Sequence, residues 1–487
     1  MRRRGNETVI LRRLPLLLLA VLALPAAAAT QATRAEDLRY PPLPAFDIPQ
    51  PERVVLDNGM VVMLLEDHEL PLVEATALIR GGSRLDPADK AGLASLGAGV
   101  MRTGGTQAQA SDALDDYLES RAASIEVRAS EDHLQASLSA LKADFPDVLR
   151  AFAGVLRHPA FDARKLEVAR NQAISEVARQ NDDPGLLLAR EFQKIVYGPD
   201  SPYGRTETLP SLGRIGRADL VAWQRETFHP DRIILGLVGD FQRDEALRRI
   251  REAFGDWPKG PVWTAPDVPY RKQPSPGVWY ARKDDVTQSF VMMGHLGGLR
   301  SDPDFYALEV LNQLFSGSFA SRLINDVRTR KGLAYSVQGQ IDNGYDHPGM
   351  AWIFVSTKTQ TTGASIDALL EEARNLTAQP PTDEEVAKAK QALLSSFVFS
   401  YDSKREVLGR QLTLEYFGYP LDWLSRYQAA IGAVTTQQVR AAARHLRPED
   451  FAIVVVGPSQ GTDKPLTAYG KVTPIDIAPP APAPGKK

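Results

Sequence analysis

Period-two and period-3.6 patterns alternate along the chain. Val54 to Leu65 reads as two β-rich runs joined at Asp57-Asn58-Gly59, where Asn and Gly supply the positive φ of a tight hairpin turn. The apolar run Leu72 to Ile79 predicts a third strand. Helical spacing follows at Ala91–Met101, Asp112–Ser120, Ala140–Leu156 and Asp162–Gln180, and the run from Ile233 to Val238, ending on Gly239, predicts another strand. This half is α+β. From Trp257 to Gly277 proline and glycine break the periodicity, as in a linker between domains.

The pattern then repeats. Gly81-Gly82-Ser83-Arg84-Leu85-Asp86-Pro87 is answered 216 residues later by Gly297-Gly298-Leu299-Arg300-Ser301-Asp302-Pro303. Pro230 and the run into Val238-Gly239 are answered 218 residues later by Pro448 and the run into Val456-Gly457. Two widely separated anchors at nearly one offset predict two copies of one domain, 51–257 and 277–460, joined by 258–276. Within the second copy, Thr382 with Glu385 and Thr435 with Gln438 have the spacing of capping boxes that start helices. Beyond Gly461 the chain turns to Pro and Ala, and 461–487 is expected to be a disordered tail.

Ahead of the repeat, residues 1–29 combine five arginines, an apolar run from Leu14 to Leu24 and an Ala-rich end. This is the layout of a secretory signal peptide whose apolar run is too short to span a bilayer comfortably. A Pro-rich lead covers 30–50. The expectation is an exported chain, in the bacterial periplasm, with no membrane span after signal removal. Losing five Arg and one Glu moves the net charge from −3 to about −7, which leaves no basic excess for nucleic acid. With no cysteine, the core alone must stabilise the fold.

The stretch Ile79 to Thr106 carries the chemistry, or its loss. Gly81-Gly82-Ser83-Arg84, Gly92-Leu93-Ala94 and Thr103-Gly104-Gly105-Thr106 frame a helix. They resemble the inverted zinc motif of the pitrilysin/insulinase family of peptidases, in which Gly-Ser-Arg leads into a helix bearing His-x-x-Glu-His. The five motif positions hold Ser95, Leu96, Gly97, Ala98 and Gly99. Zinc requires imidazole, thiolate or carboxylate donors, and none of these residues offers one. Ser95 has no Gly-x-Ser-x-Gly elbow around it either. The seven histidines, at 68, 133, 158, 229, 295, 347 and 445, include no i,i+4 pair that could form the motif elsewhere.

The resemblance implies that Glu176, 77 residues after Gly99, stands at the third ligand position, where a single carboxylate is not expected to bind metal alone. It implies that Ala98 replaces the general base and that this chain carries no cofactor. In the second half, residues 311–337 resemble the family's C-terminal signature, in which an Arg and a Tyr seven residues later face the active centre across a chamber. Here these are Arg328 and Tyr335, with Gly332 at the helix exit between them. Their implied role is to hold the substrate main chain and stabilise an oxyanion.

The fold implied is two homologous α+β domains in tandem, each a mostly antiparallel sheet packed with helices, together half of a clamshell. The function implied is a non-catalytic subunit of a heterodimeric exported metallopeptidase, inactive alone. A homologous partner would bear His-x-x-Glu-His and the zinc, and a peptide would be the substrate. The alternative is a structural or peptide-binding scaffold with no enzymatic role.

Overall fold

The computed structural model describes residues 48–397, 399 and 401–478. The signal segment, and the Pro-rich lead as far as residue 47, lie outside the described residues. From Ile48 onward the chain is one compact unit.

The first half builds a six-stranded sheet from β1 (Glu52–Val55), β2 (Val61–Glu66), β3 (Leu72–Arg80), β4 (Ser124–Ala129), β5 (His133–Leu141) and β6 (Ile233–Gly239), in the order β1-β2-β6-β3-β5-β4. The predicted hairpin is β1–β2, and Gly59 at its turn has φ +86°. Only β2 and β6 run parallel in this sheet; its other neighbours are antiparallel. Its helices are α1 (Leu93–Thr103), α2 (Ser111–Glu119), α3 (Phe145–Arg157), α4 (Ala163–Ala178), α5 (Pro184–Tyr197), α6 (Leu209–Arg214), α7 (Arg217–Thr227) and α8 (Arg243–Phe254). The expected helix at 140–156 starts only at Phe145, because Ala140 and Leu141 still pair with Val73 and Leu72 in the sheet.

The second half repeats the plan with β7 (Gly277–Arg282), β8 (Gln288–Leu296), a two-residue β9 (Gly298–Leu299), β10 (Ser336–Ile341), β11 (Asn343–Gly344), β12 (Met350–Lys358), β13 (Ala452–Gly457) and β14 (Val472–Pro474). The large sheet runs β10-β12-β8-β13-β7-β14. Strands β2, β6, β3, β5 and β4 correspond in order and direction to β7, β13, β8, β12 and β10. The chain therefore holds two homologous α+β domains. Its second set of helices is α9 (Phe305–Ser316), α10 (Thr362–Ala378), α11 (Asp383–Phe397), α12 (Lys404–Phe417), α13 (Trp423–Ala433) and α14 (Thr436–Ala442). Both capping boxes form: Thr382 and Glu385 bond each other's backbone N–H, as do Thr435 and Gln438.

The expectation of a disordered tail from Gly461 is corrected as far as Ala478. Val472–Pro474 add β14 beside β7, at the edge position that β1 holds in the first sheet. Asp463 accepts from the N–H groups of Gly363 and Ala364 at the start of α10, and the Tyr469 hydroxyl donates to the Gly363 carbonyl at 2.8 Å. Leu466, Tyr469 and Val472 pack on the second core. This segment has enough apolar residues to dock, whereas the Pro/Ala character belongs to 479–487, outside the described residues.

The central strands β6 and β13 are apolar on both faces, and those faces are covered from different halves. Ile233, Leu235 and Leu237 of β6 join the first domain's own core, while Ile234 and Val238 face α12, where Leu408 and Leu412 lie. Reciprocally, Ile453 and Val455 of β13 face the second core, while Val454 and Val456 meet Leu187, Leu188 and Phe192 of α5. Burial on both sides is why these strands read as unbroken apolar runs. At Gly236 a Cβ would lie 2.7 Å from Leu412, so α12 sits directly on the strand backbone. The halves are interlocked by exchanging one helix each.

Candidate functional site

Helix α1 starts at Gly92, whose φ of +100° suits glycine, and a Cβ there would strike Leu212 at 2.9 Å. The Asp86 carboxylate accepts from Gly92 N at 3.0 Å and Ala94 N at 3.1 Å, replacing the partners these amides lack at a helix end. Burial pushes the Asp86 carboxyl up to about 7, against the pull of those amides. Leu96, Gly97 and Ala98 are buried; Ser95 is exposed and Gly99 half-exposed. Gly97 is pressed against Trp223 of α7, where a Cβ would come within 2.6 Å of the indole. Ser95 and Gly99, one turn apart, thus occupy the open side of the helix where two imidazoles would stand.

The Ser95 hydroxyl hydrogen-bonds the Glu207 carboxylate. Burial raises the Glu207 pKa, the Ser95 bond opposes that, and the charge of Glu176 raises it further. Glu176, near the end of α4, is exposed. The site therefore consists of a hydroxyl and two carboxylates, with no nitrogen or sulfur donor. These residues do not fit the tetrahedral zinc set of a peptidase, and Ser95 has only the Glu207 carboxylate beside it, without the histidine of a serine-hydrolase triad among the described residues. Glu207 was not foreseen from the sequence, since it lies in the irregular segment between α5 and α6 with no motif around it.

Arg84, read only as part of the motif frame, joins the two halves. Its guanidinium donates to Asp132 at 3.2 Å, to the Tyr203 hydroxyl at 3.3 Å and to Asp346 of the second half at 2.7 Å. His347 stacks on Tyr203 with ring centres 3.9 Å apart and bonds Asp346 at 2.9 Å. Against burial, the His347 hydrogen bond and then the Arg84 cation draw the Asp346 carboxyl down to about 2, whereas burial pushes Glu131 up to about 7. Ligand atoms of Asp132, Asp346 and His347 lie close enough together to suit a metal ion. The Arg84 guanidinium already supplies the positive charge between the two aspartates.

Arg328 and Tyr335 lie on the second half. A π-helical stretch, Ile324–Arg330, carries Arg328 and ends through Gly332, whose φ of +64° is the left-handed exit its position predicts. Tyr335 N–H bonds the Ser356 carbonyl at 3.1 Å, fixing the entry to β10. The Tyr335 side chain is 80% exposed; Arg328, also exposed, lies over the Phe319 ring at 5.1 Å. Among the described residues no acidic side chain pairs with Arg328, and no hydrogen bond, ion pair or ring contact joins Arg328 or Tyr335 to α1 or Glu176.

Two family models match the chain, the insulinase peptidase family M16 over residues 61–200 and the peptidase M16 inactive domain over 214–393. The chain belongs to the M16 family. The non-peptidase homolog YmxG of Helicobacter pylori is 26% identical over 399 residues, covering 81% of this chain and 91% of that protein. The uncharacterized zinc protease YmxG of Bacillus subtilis is 25% identical over 312 residues, 64% of this chain and 75% of the relative. A crystal structure of a peptidase M16 inactive domain from Pseudomonas fluorescens superposes with a TM-score of 0.77 at 26% identity, covering 86% of this chain and all of that one. With Ser95, Ala98 and Gly99 in place of the M16 ligands and base, this member is non-catalytic on its own and holds no catalytic zinc. No helix among the described residues is long and apolar enough to cross a membrane.

Proposed function

We propose that this M16 chain is the non-catalytic subunit of an exported heterodimeric peptidase. It closes a chamber with a homologous subunit bearing His-x-x-Glu-His and the zinc, and presents Arg328 and Tyr335 to that subunit's active centre. One observation supports the reading: beside the helix exit at Gly332, Arg328 has no acidic partner among the described residues and touches only the exposed Phe319 ring, while Tyr335 is 80% exposed. An always-charged guanidinium and a phenol donor suit a peptide carbonyl on which negative charge develops. The bound substrate is a peptide, and the signal-like segment at 1–29 supports a periplasmic setting.

Reconstitution with such a partner tests the reading by peptide hydrolysis. Arg328→Ala and Tyr335→Phe should each lower kcat of the pair by roughly 10²–10³ while complex formation and metal content stay unchanged. Full activity in both variants would reject the contribution to chemistry and leave the scaffold role, for which the degenerate α1 is the supporting feature.

A further inference from the structure

Beside the N-terminal end of α1 the structure opens a cavity of about 660 Å³, a size usual for small-molecule sites. It is formed by the end of β3, the turn before α1, the end of α7 and the irregular chain after Trp257. Leu85, Leu93, Trp223 and Trp263 give it apolar walls. Four cations line it as well, Arg80, Lys90, Arg225 and Arg232, and two of them meet at one ring. The Trp263 ring has the Arg80 guanidinium 6.0 Å from its centre and the Arg232 guanidinium at 5.8 Å.

Neither arginine is neutralised by a carboxylate among the described residues. Arg80 otherwise faces only the Tyr416 ring, at 5.2 Å. Arg232 is 7% exposed, donates to the carbonyls of Glu226 and Pro261, and leaves its buried Nε without a partner. Burial lowers the Arg232 pKa, with the nearby Asp231 opposing, and Asp231 itself accepts from Gly260 N–H at 3.0 Å. The acids on the cavity wall are engaged elsewhere or exposed. Asp219 pairs with Lys90 at 2.6 Å, Asp86 gives both oxygens to the start of α1, and Glu226 is exposed beside Arg225. A buried, uncompensated guanidinium is costly to the fold, and a ligand's negative charge would offset that cost.

We propose that this cavity binds an organic monoanion, a carboxylate on an apolar body, its charge answering Arg80 and Arg232 and its body lying against Trp223 and Trp263. Four cations (Arg80, Lys90, Arg225, Arg232) against three acids (Asp86, Asp219, Glu226) leave the wall one net positive charge, which matches a singly charged carboxylate better than a doubly charged phosphate. Two sources share this chemistry, the C-terminal end of a short peptide and a free aryl or alkyl acid. The site needs no partner subunit, so its test is independent of the pairing proposed above.

The experiment titrates the full chain with acetyl-Ala-Phe and with 3-phenylpropionate, each beside its uncharged amide, followed by calorimetry and tryptophan fluorescence. At least one acid should bind saturably and at least about tenfold tighter than its amide, the scale of one charged hydrogen bond. Arg80→Gln should weaken the acid about tenfold or more and leave the amide unchanged. Tighter binding of the peptide identifies a peptide end as the ligand, and tighter binding of phenylpropionate a small acid; either supports the site. Because Arg232→Gln could fail to fold, Arg80→Gln and Trp263→Ala carry the test. Equal affinity for acid and amide, no saturation by either acid, or an unchanged acid affinity in Arg80→Gln would overturn the proposal.

Discussion

Two glycines two residues apart in α1, and so on opposite sides of the helix, do opposite things. Gly97 has Trp223 where a Cβ would go, whereas Gly99 has no atom within 4 Å. Gly97→Ala should therefore cost about 1–3 kcal/mol through overpacking. Gly99→Ala should be neutral or stabilise by up to about 1 kcal/mol by lowering chain entropy within a helix. Urea unfolding of the two variants checks the contrast, and similar losses in both would contradict the packing described. At this scale the sequence revealed where ligands are missing, because the motif frame survives around Ser95, Ala98 and Gly99. It could not reveal Glu207, which reaches Ser95 only through folding, nor Arg84 as a bridge between halves, because the Asp346 that receives it lies 262 positions away.

Among the elements, strands buried on both faces were legible as continuous apolar runs, and the repeat fixed their correspondence. The strands β4 and β5 were missed although SIEVRA and HLQASLSAL alternate apolar and polar residues as their burial does; half of the buried positions in β5 are alanines, and only Ile125 and Val127 are β-branched, so the runs carry little strand propensity. Nor does periodicity say which sheet a helix covers. The apolar face of α5 reads like that of any amphipathic helix, yet it seals the other half's sheet with Leu187, Leu188 and Phe192 fully buried. Phe192→Ala should cost about 3–5 kcal/mol, as for any large core truncation. Because the contact joins the halves, the loss should appear as a lower midpoint of one cooperative transition. An early, separate unfolding of the second half alone would show that α5 is not integral to it.

For the whole molecule, the exchange predicts that neither half is stable by itself. A chain of 48–276 should aggregate when produced alone and become soluble in a one-to-one complex with 277–478, as read by size-exclusion chromatography. A soluble, monomeric 48–276 would contradict this. The same junction carries a pH signature. The folded pKa of Asp346, about 2, lies below its unfolded value near 4, so its bonds with His347 and Arg84 contribute fully above pH ~4 and are lost as pH falls through ~2. Asp346 is about a third exposed, so solvent screening limits the contribution to about 1 kcal/mol. Asp346→Asn should lower stability by that amount at pH 7 and by only a small fraction of it at pH 2, measured by denaturant midpoints at both.

The exchanged helices also set a timetable for synthesis. The last strand of the first sheet ends at Gly239, but the helix that covers its outer face is complete only at Phe417, 178 positions later. At about 5–20 residues per second, Ile234 and Val238 stay uncovered for roughly 10–35 s after they are made. During that interval the emerging half is a sheet with one bare apolar face, the kind of surface that holding chaperones shield. The arrangement that locks the finished protein thus makes its first half dependent on assistance until the second arrives.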